Sequence, residues 1–144
     1  MSEGYASPYR GNILQLIAYL VLQELATRIS HRNTGLLSTD PVCDRLLGRI
    51  AQDENLHMMF YRDLFAAALE LLPGEALTAL DDVVASFQMP GAGIPGFARK
   101  SVAIANAGIY DPQIHLEDLA ARLARLEKVA GRFVDRRDSR VLSR

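Results

Sequence analysis

The sequence predicts an all-α protein built from two long helices and three shorter ones. Three observations lead there. No segment alternates apolar and polar residues with period two over the length of a strand. Two long stretches run free of proline between recognisable helix start and stop signals. Beyond them, proline and glycine cut the remaining chain into pieces of short-helix length.

The first helix is expected over about residues 12–33. Asn12 precedes the apolar run, Gln15 follows three residues on as in a capping box, and Asn33-Thr34-Gly35 supplies a stop. The second is expected over 41–72, because Asp40 is an N-cap, Pro41 suits the first helical position, and no breaker appears before Pro73-Gly74. At 1.5 Å per residue it would be about 48 Å long. A third helix is expected over 75–88, stopped by Met89-Pro90, after which Gly91, Gly93, Pro95 and Gly96 make a loop. A fourth should cover 97–107 with Gly108 as its cap, and Asp111-Pro112 should open a fifth that continues to about Gly131.

The composition, 49% hydrophobic and 23% charged over 144 residues, fits one folded domain spanning 1–144 rather than a disordered chain. A net charge of -1 argues against a general nucleic-acid binder. The charge is uneven, since residues 122–144 hold eight Arg/Lys against three Asp/Glu. Cys43 is the one cysteine and has no intramolecular partner, which fits a reducing cytoplasm. The apolar run Ile13–Leu22 is interrupted by Gln15 and is short for a bilayer, and neither a basic start nor a small-residue cleavage site marks it as a signal peptide. A buried helix, with no membrane span, is the expectation. A phosphate-binding glycine loop, a G-x-S-x-G elbow and a cysteine cluster are all lacking, so nucleotide, serine-hydrolase and iron–sulfur chemistry find no support.

The chemistry-bearing residues lie on the two long helices. The first is apolar nearly all round and yet carries Glu24, with Leu20, Thr27 and His31 on the same stripe. The second repeats the spacing with Ile50, Glu54, His57 and Tyr61. A buried carboxylate is costly unless it is paired, hydrogen-bonded or bound to a metal. Glu54-x-x-His57 stacks a carboxylate and an imidazole one turn apart, where both can hold one cation such as iron or manganese. In two-metal carboxylate bundles two helices each give a Glu and two others each give a Glu-x-x-His, and this chain offers one of each. Plainer readings stand beside this one. Glu24 could pair with Arg28 at i, i+4, and Glu54 with an arginine elsewhere; His57 could be a core histidine. His31 could serve the helix dipole, and Thr27 could bond back to its own helix.

The strings QELATRISHRNTG around Glu24, RIAQDENLH around Glu54, and then FQMPG and GIYD resemble the second half of acyl-[acyl-carrier-protein] desaturases, most closely actinobacterial members, over about residues 9–135. The resemblance implies part of a ferritin-like bundle that binds two irons and activates dioxygen after reduction by a ferredoxin-type electron donor. It also implies removal of two hydrogens from an acyl chain carried on acyl carrier protein. By position it implies Glu24, Glu54 and His57 as metal ligands, with Thr27 beside the dioxygen site and His31 in the outer shell of the pocket. Asp53 resembles the acid that holds a histidine ligand in place, its plainer reading being a solvated acid beside a ligand.

The family's site also takes an earlier Glu helix and an earlier Glu-x-x-His helix, whereas Glu3 is the only acid here before Glu24. The expectation is therefore a desaturase, or a portion of one, competent when the other half of the site is supplied. A second copy in a homo-oligomer or a separate N-terminal half could supply it. The alternative is a non-catalytic ferritin-like remnant or an interaction protein. Arg122, Arg125, Arg132, Arg136 and Arg137 are expected to dock acidic carrier protein by charge steering, the alternative being a solvated helix face and a frayed tail. Finally, the short connection from Gly35 to Asp40 should make the two long helices antiparallel neighbours, with Glu24 within reach of Glu54 and His57.

Overall fold

The computed structural model describes residues 9, 11–90 and 92–114, which contain helices and no strand. The chain divides into two compact units, Met1–Tyr110 and Asp111–Arg144. The first carries α1 (Ile13–Leu37), α2 (Pro41–Leu71), α3 (Pro73–Ser86) and α4 (Phe97–Asn106). In the second, residues 112–114 are helical and the Asp111 side chain accepts the Ile114 N–H at 2.8 Å, the start expected for a fifth helix. The rest of that helix, to Gly131, lies outside the described residues, as do Arg122, Arg125, Arg132, Arg136 and Arg137.

Helix α1 begins where its cap residue says it should. The Asn12 side chain accepts the N–H groups of Leu14 at 3.1 Å and Gln15 at 3.2 Å, satisfying two of the donors a helix start leaves free. Its end differs from expectation, because the helix passes through Asn33-Thr34-Gly35 and stops at Leu37. Each supposed stop residue is engaged otherwise. The Asn33 amide donates to the Ile109 carbonyl at 2.9 Å, and the Thr34 hydroxyl donates back to the Ser30 carbonyl at 2.7 Å. Gly35 keeps helical backbone; what it provides is clearance. A Cβ there would meet Asp44 Oδ1 at 3.1 Å and Leu47 Cβ at 3.3 Å, so the missing side chain lets α2 come close.

Helix α2 starts on Asp40, whose carboxylate accepts the Val42 N–H at 2.8 Å, with Pro41 in the first turn. It runs antiparallel to α1. Arg32 near the end of α1 pairs with Asp44 near the start of α2 at 2.6 Å, while the earlier Glu24 faces the later His57. Pro73-Gly74 ends α2 as expected but also forms the first turn of α3, which starts two residues before the expected 75. Leu72 alone turns the corner (φ -139°, ψ 62°), and proline, which has no N–H to leave unpaired, starts the next helix. At the other end α3 stops at Ser86, two residues before the expected Gln88. Phe87 leaves the helix to pack on Tyr19, ring centroids 5.7 Å apart, and the Gln88 carbonyl accepts the Tyr19 hydroxyl at 3.3 Å. Helix α4 ends one residue early and closes as a Schellman motif. Ile109 N–H bonds Ile104 O at 3.1 Å and Gly108 N–H bonds Ala105 O at 2.9 Å, with Gly108 at φ +69°.

The core is organised around α1. It buries Ile17, Ala18, Leu22, Leu25, Ala26 and Ile29 along one broad face, and α1 packs against α2 and against α3, which buries Ala76, Ala79 and Val83. Buried Leu, Ile or Val side chains of this kind contribute about 1.5–3 kcal/mol each. Its full 25 residues are long and apolar enough to cross a membrane by length and composition, a property the shorter run to Leu22 does not have. A core helix has the same property, and the burial of α1 against α2 and α3 gives it that role in this fold.

Candidate metal centre

Glu24 projects from the middle of α1, and Glu54 and His57 from the middle of α2, one helical turn apart on one face. Because the helices are antiparallel with a tight connection, these positions come level. One donor atom from each of the three residues lies within 4.8 Å of the other two. His57 Nδ1 is 3.4 Å from Glu24 Oε2 and 3.5 Å from Glu54 Oε2. Burial is graded across the cluster. Glu24 is 8% exposed and the Glu54 side chain 19%, whereas the His57 side chain is 59% exposed and forms the open edge.

The donor set fits a divalent metal ion. Glu24 Oε2 is buried without a hydrogen bond, and a carboxylate oxygen so placed costs free energy unless a cation faces it. Two carboxylates and one imidazole combine hard oxygen with borderline nitrogen, which suits iron or manganese. The electrostatics agree. Burial, reinforced by the neighbouring Glu54 carboxylate, pushes the Glu24 carboxyl up to about 7, with His57 opposing. The hydrogen bond from Glu24 is the largest influence holding Glu54 below its usual range. A bound cation would favour the ionised form of Glu24 and displace its proton.

The remaining residues singled out in the sequence lie around this cluster in different ways. His31 Nδ1, also buried without a hydrogen bond, is 3.8 Å from Glu54 Oε1, so it stands behind that carboxylate at the rim. The Thr27 hydroxyl lies 3.1 Å from both the Gln23 and Glu24 carbonyls and bonds back to its own helix. Asp53 pairs with Arg49, Oδ1 to Nε 3.6 Å, and is not among the clustered donors.

One feature escaped the sequence reading. Asp53 lines an open groove between α1 and α2 together with Arg28, Arg32, Arg45 and Arg49. The signal was there: each helix carries two arginines spaced i, i+4, which share a face.

The family model for fatty acid desaturases matches residues 1–134. The putative acyl-[acyl-carrier-protein] desaturase DesA1 of Mycobacterium tuberculosis is 53% identical over 103 residues, covering 72% of this chain and 30% of that protein. The chloroplastic stearoyl-[acyl-carrier-protein] 9-desaturase of Gossypium hirsutum is 31% identical over 121 residues, 77% of this chain and 29% of its own length. The chloroplastic acyl-[acyl-carrier-protein] desaturase 7 of Oryza sativa subsp. indica is 32% identical over 139 residues, 88% of this chain and 33% of its own. The chain therefore spans about a third of the length of these curated relatives. No solved structure matches it.

Proposed function

The chain belongs to the fatty acid desaturase family, and from that premise we propose that it is a portion of an acyl-[acyl-carrier-protein] desaturase that contributes Glu24, Glu54 and His57 to an iron centre. The observation that carries this reading is the convergence of those three side chains on a buried carboxylate oxygen that has no hydrogen bond. Iron bound there would supply the capacity to activate dioxygen for removal of two hydrogens from an acyl chain.

The chain's own residues do the following. Glu24, fixed in the α1–α2 interface, presents a carboxylate whose ionisation is held back by burial until a cation arrives. Glu54 and His57 offer the second carboxylate and the imidazole from successive turns of α2. His31 stands where it can hold a proton beside Glu54 Oε1. Thr27 faces the dioxygen pocket if its hydroxyl leaves the Gln23 and Glu24 carbonyls. Asp53 holds a histidine that arrives with the completing half of the site, and exchanges Arg49 for it.

Three donors leave positions open on each metal ion, so the reading includes another helix pair, from the same polypeptide, a separate N-terminal half or another copy. The same reading includes acyl carrier protein as carrier of the substrate, a ferredoxin-type electron donor and a cytoplasmic location. Arg122, Arg125, Arg132, Arg136 and Arg137 are its docking residues for the acidic carrier.

Anaerobic loading of the 144-residue chain with Fe(II), followed by metal analysis, tests the centre. Bound iron that is lost in Glu54→Ala supports it; a wild-type chain that retains no more iron than Glu54→Ala overturns it.

A further inference from the structure

The arginine groove between α1 and α2 supplies no donor to the metal centre. Gly48, in its lining, and His57 are nine residues apart on α2, about two and a half turns, so they face opposite sides of that helix. A surface that completes the metal centre at His57 therefore sits on the other side of the helix pair.

Four arginines and two aspartates line the groove. Both aspartates are already engaged, Asp44 by Arg32 at 2.6 Å and Asp53 by Arg49 at 3.6 Å. Two positive charges remain in excess. Arg28 and Arg32, on α1, are half-buried, whereas Arg45 and Arg49, on α2, are exposed. Arg45 forms no ion pair among the described residues. Like charges gathered around one groove repel one another and favour an anion placed between them. Because Asp44 already holds Arg32 in position, that side chain loses little freedom when the anion arrives.

The arrangement of the arginines says which anion fits. Guanidinium forks match the oxygens of carboxylates and phosphates. Within each pair the two arginines are four residues apart, which sets their Cβ atoms about 5–6 Å from one another. Two linked phosphates are wide enough to engage both pairs at once; a single carboxylate is not. The groove has a volume of about 940 Å³, in the range of small-molecule sites. Beyond the arginines, Ala51 and Leu56 offer apolar surface and Gln52 and Asn55 offer amides, which suit an organic body attached to the phosphates. Gly48 keeps the floor open, since even a Cβ there would stand 3.7 Å from Arg32 Nη1. Side chains from two helices, rather than a glycine loop, form this cradle, so no phosphate-binding motif marks it in the sequence.

We propose that this groove binds the diphosphate group of a small molecule. Arg28 and Arg32 engage it from α1, and Arg45 and Arg49 close on it from α2.

Calorimetric titration of the full chain with inorganic pyrophosphate and with ADP, at constant ionic strength and without added metal, tests the proposal. The wild type should bind pyrophosphate at one site per chain. Arg45→Gln should weaken binding about tenfold or more, while Arg99→Gln, which removes the same charge from α4, should leave it unchanged. Gly48→Leu keeps all four arginines but fills the floor, and should also weaken binding. Tighter binding of ADP than of pyrophosphate would identify an organic diphosphate as the ligand; equal or weaker binding would identify the inorganic anion. No pyrophosphate binding at about 1 mM overturns the proposal. So does an equal loss in Arg45→Gln and Arg99→Gln, which would mean attraction by overall charge. A folded Gly48→Leu with wild-type affinity overturns it too, because the anion would then lie outside the groove. If circular dichroism shows that Gly48→Leu does not fold, the comparison of Arg45→Gln with Arg99→Gln decides.

Discussion

His57 Nδ1 lies 3.4 Å from Glu24 Oε2 across the interface between the two long helices. A slip of one residue in either helix would swing one of these groups through about 100° and separate them. The contact therefore depends on the register of α1 against α2, and that register is held at the turn, where Arg32 pairs with Asp44 and Gly35 lets Leu47 approach.

Replacing His57 separates ligation from packing. Its side chain is largely exposed, so His57→Ala should leave the melting temperature of the metal-free protein almost unchanged while lowering Fe(II) or Mn(II) affinity by about 10–100-fold. Equilibrium dialysis beside thermal unfolding in chelator measures both. An unaltered affinity would remove His57 from the ligand set.

The metal-free protein should lose stability as pH rises through neutrality. The Glu24 carboxyl is raised from 4.5 to about 7, chiefly by burial and then by Glu54. A carboxyl raised in the fold contributes stability that is complete below its unfolded value and lost as pH climbs through its folded value. Glu54, held low chiefly by its hydrogen bond from Glu24, acts in the opposite sense only at pH values below its ordinary range, outside this window. Thermal melts in chelator from about pH 5 to about pH 8 should therefore show a falling midpoint, flattened by Glu24→Gln. A wild-type midpoint that rises over this range would contradict the assignment.

Gly35→Ala sets helix propensity against packing. Alanine gains about 1 kcal/mol in a helix interior, but overpacking costs about 1–3 kcal/mol. The new Cβ would stand 3.1 Å from Asp44 Oδ1, which is tied to Arg32, and 3.3 Å from Leu47 Cβ, which moves only with its backbone. Packing should win, with a net loss of about 1 kcal/mol in urea unfolding. A stabilised variant would mean that α2 gives way at no cost.

The same residue shows where reading the sequence succeeded and where it stopped. Helix existence was legible because Asn12, Asp40 and Pro41 are local signals answered by local hydrogen bonds. The Glu24, Glu54 and His57 constellation was legible because helical spacing sets which side chains share a face, and a short connection makes two long helices neighbours. The helix ends were less so. Gly35 and Asn33 look like terminators, yet their roles are set by α2 and by the Ile109 carbonyl, partners distant in sequence. Phe87 leaves α3 because Tyr19 offers it a ring to pack on, which no window around residue 87 reveals.

His31 provides the sharpest separation between a group that ligates and a group that acts through a neighbour. Its Nδ1 is 3.8 Å from Glu54 Oε1, and its positive charge when protonated favours the ionised form of Glu54. A protonated His31 also repels an arriving cation, so removing that charge in His31→Gln should move Mn(II) uptake to lower pH, while affinity well above neutrality should match the wild type. A ligand behaves differently: its loss lowers affinity at every pH, because a donor is missing whatever the protonation of the others. Mn(II) titrations at several pH values distinguish the two. A parallel drop across the whole range would make His31 a ligand, and superimposable curves would remove it from the centre altogether.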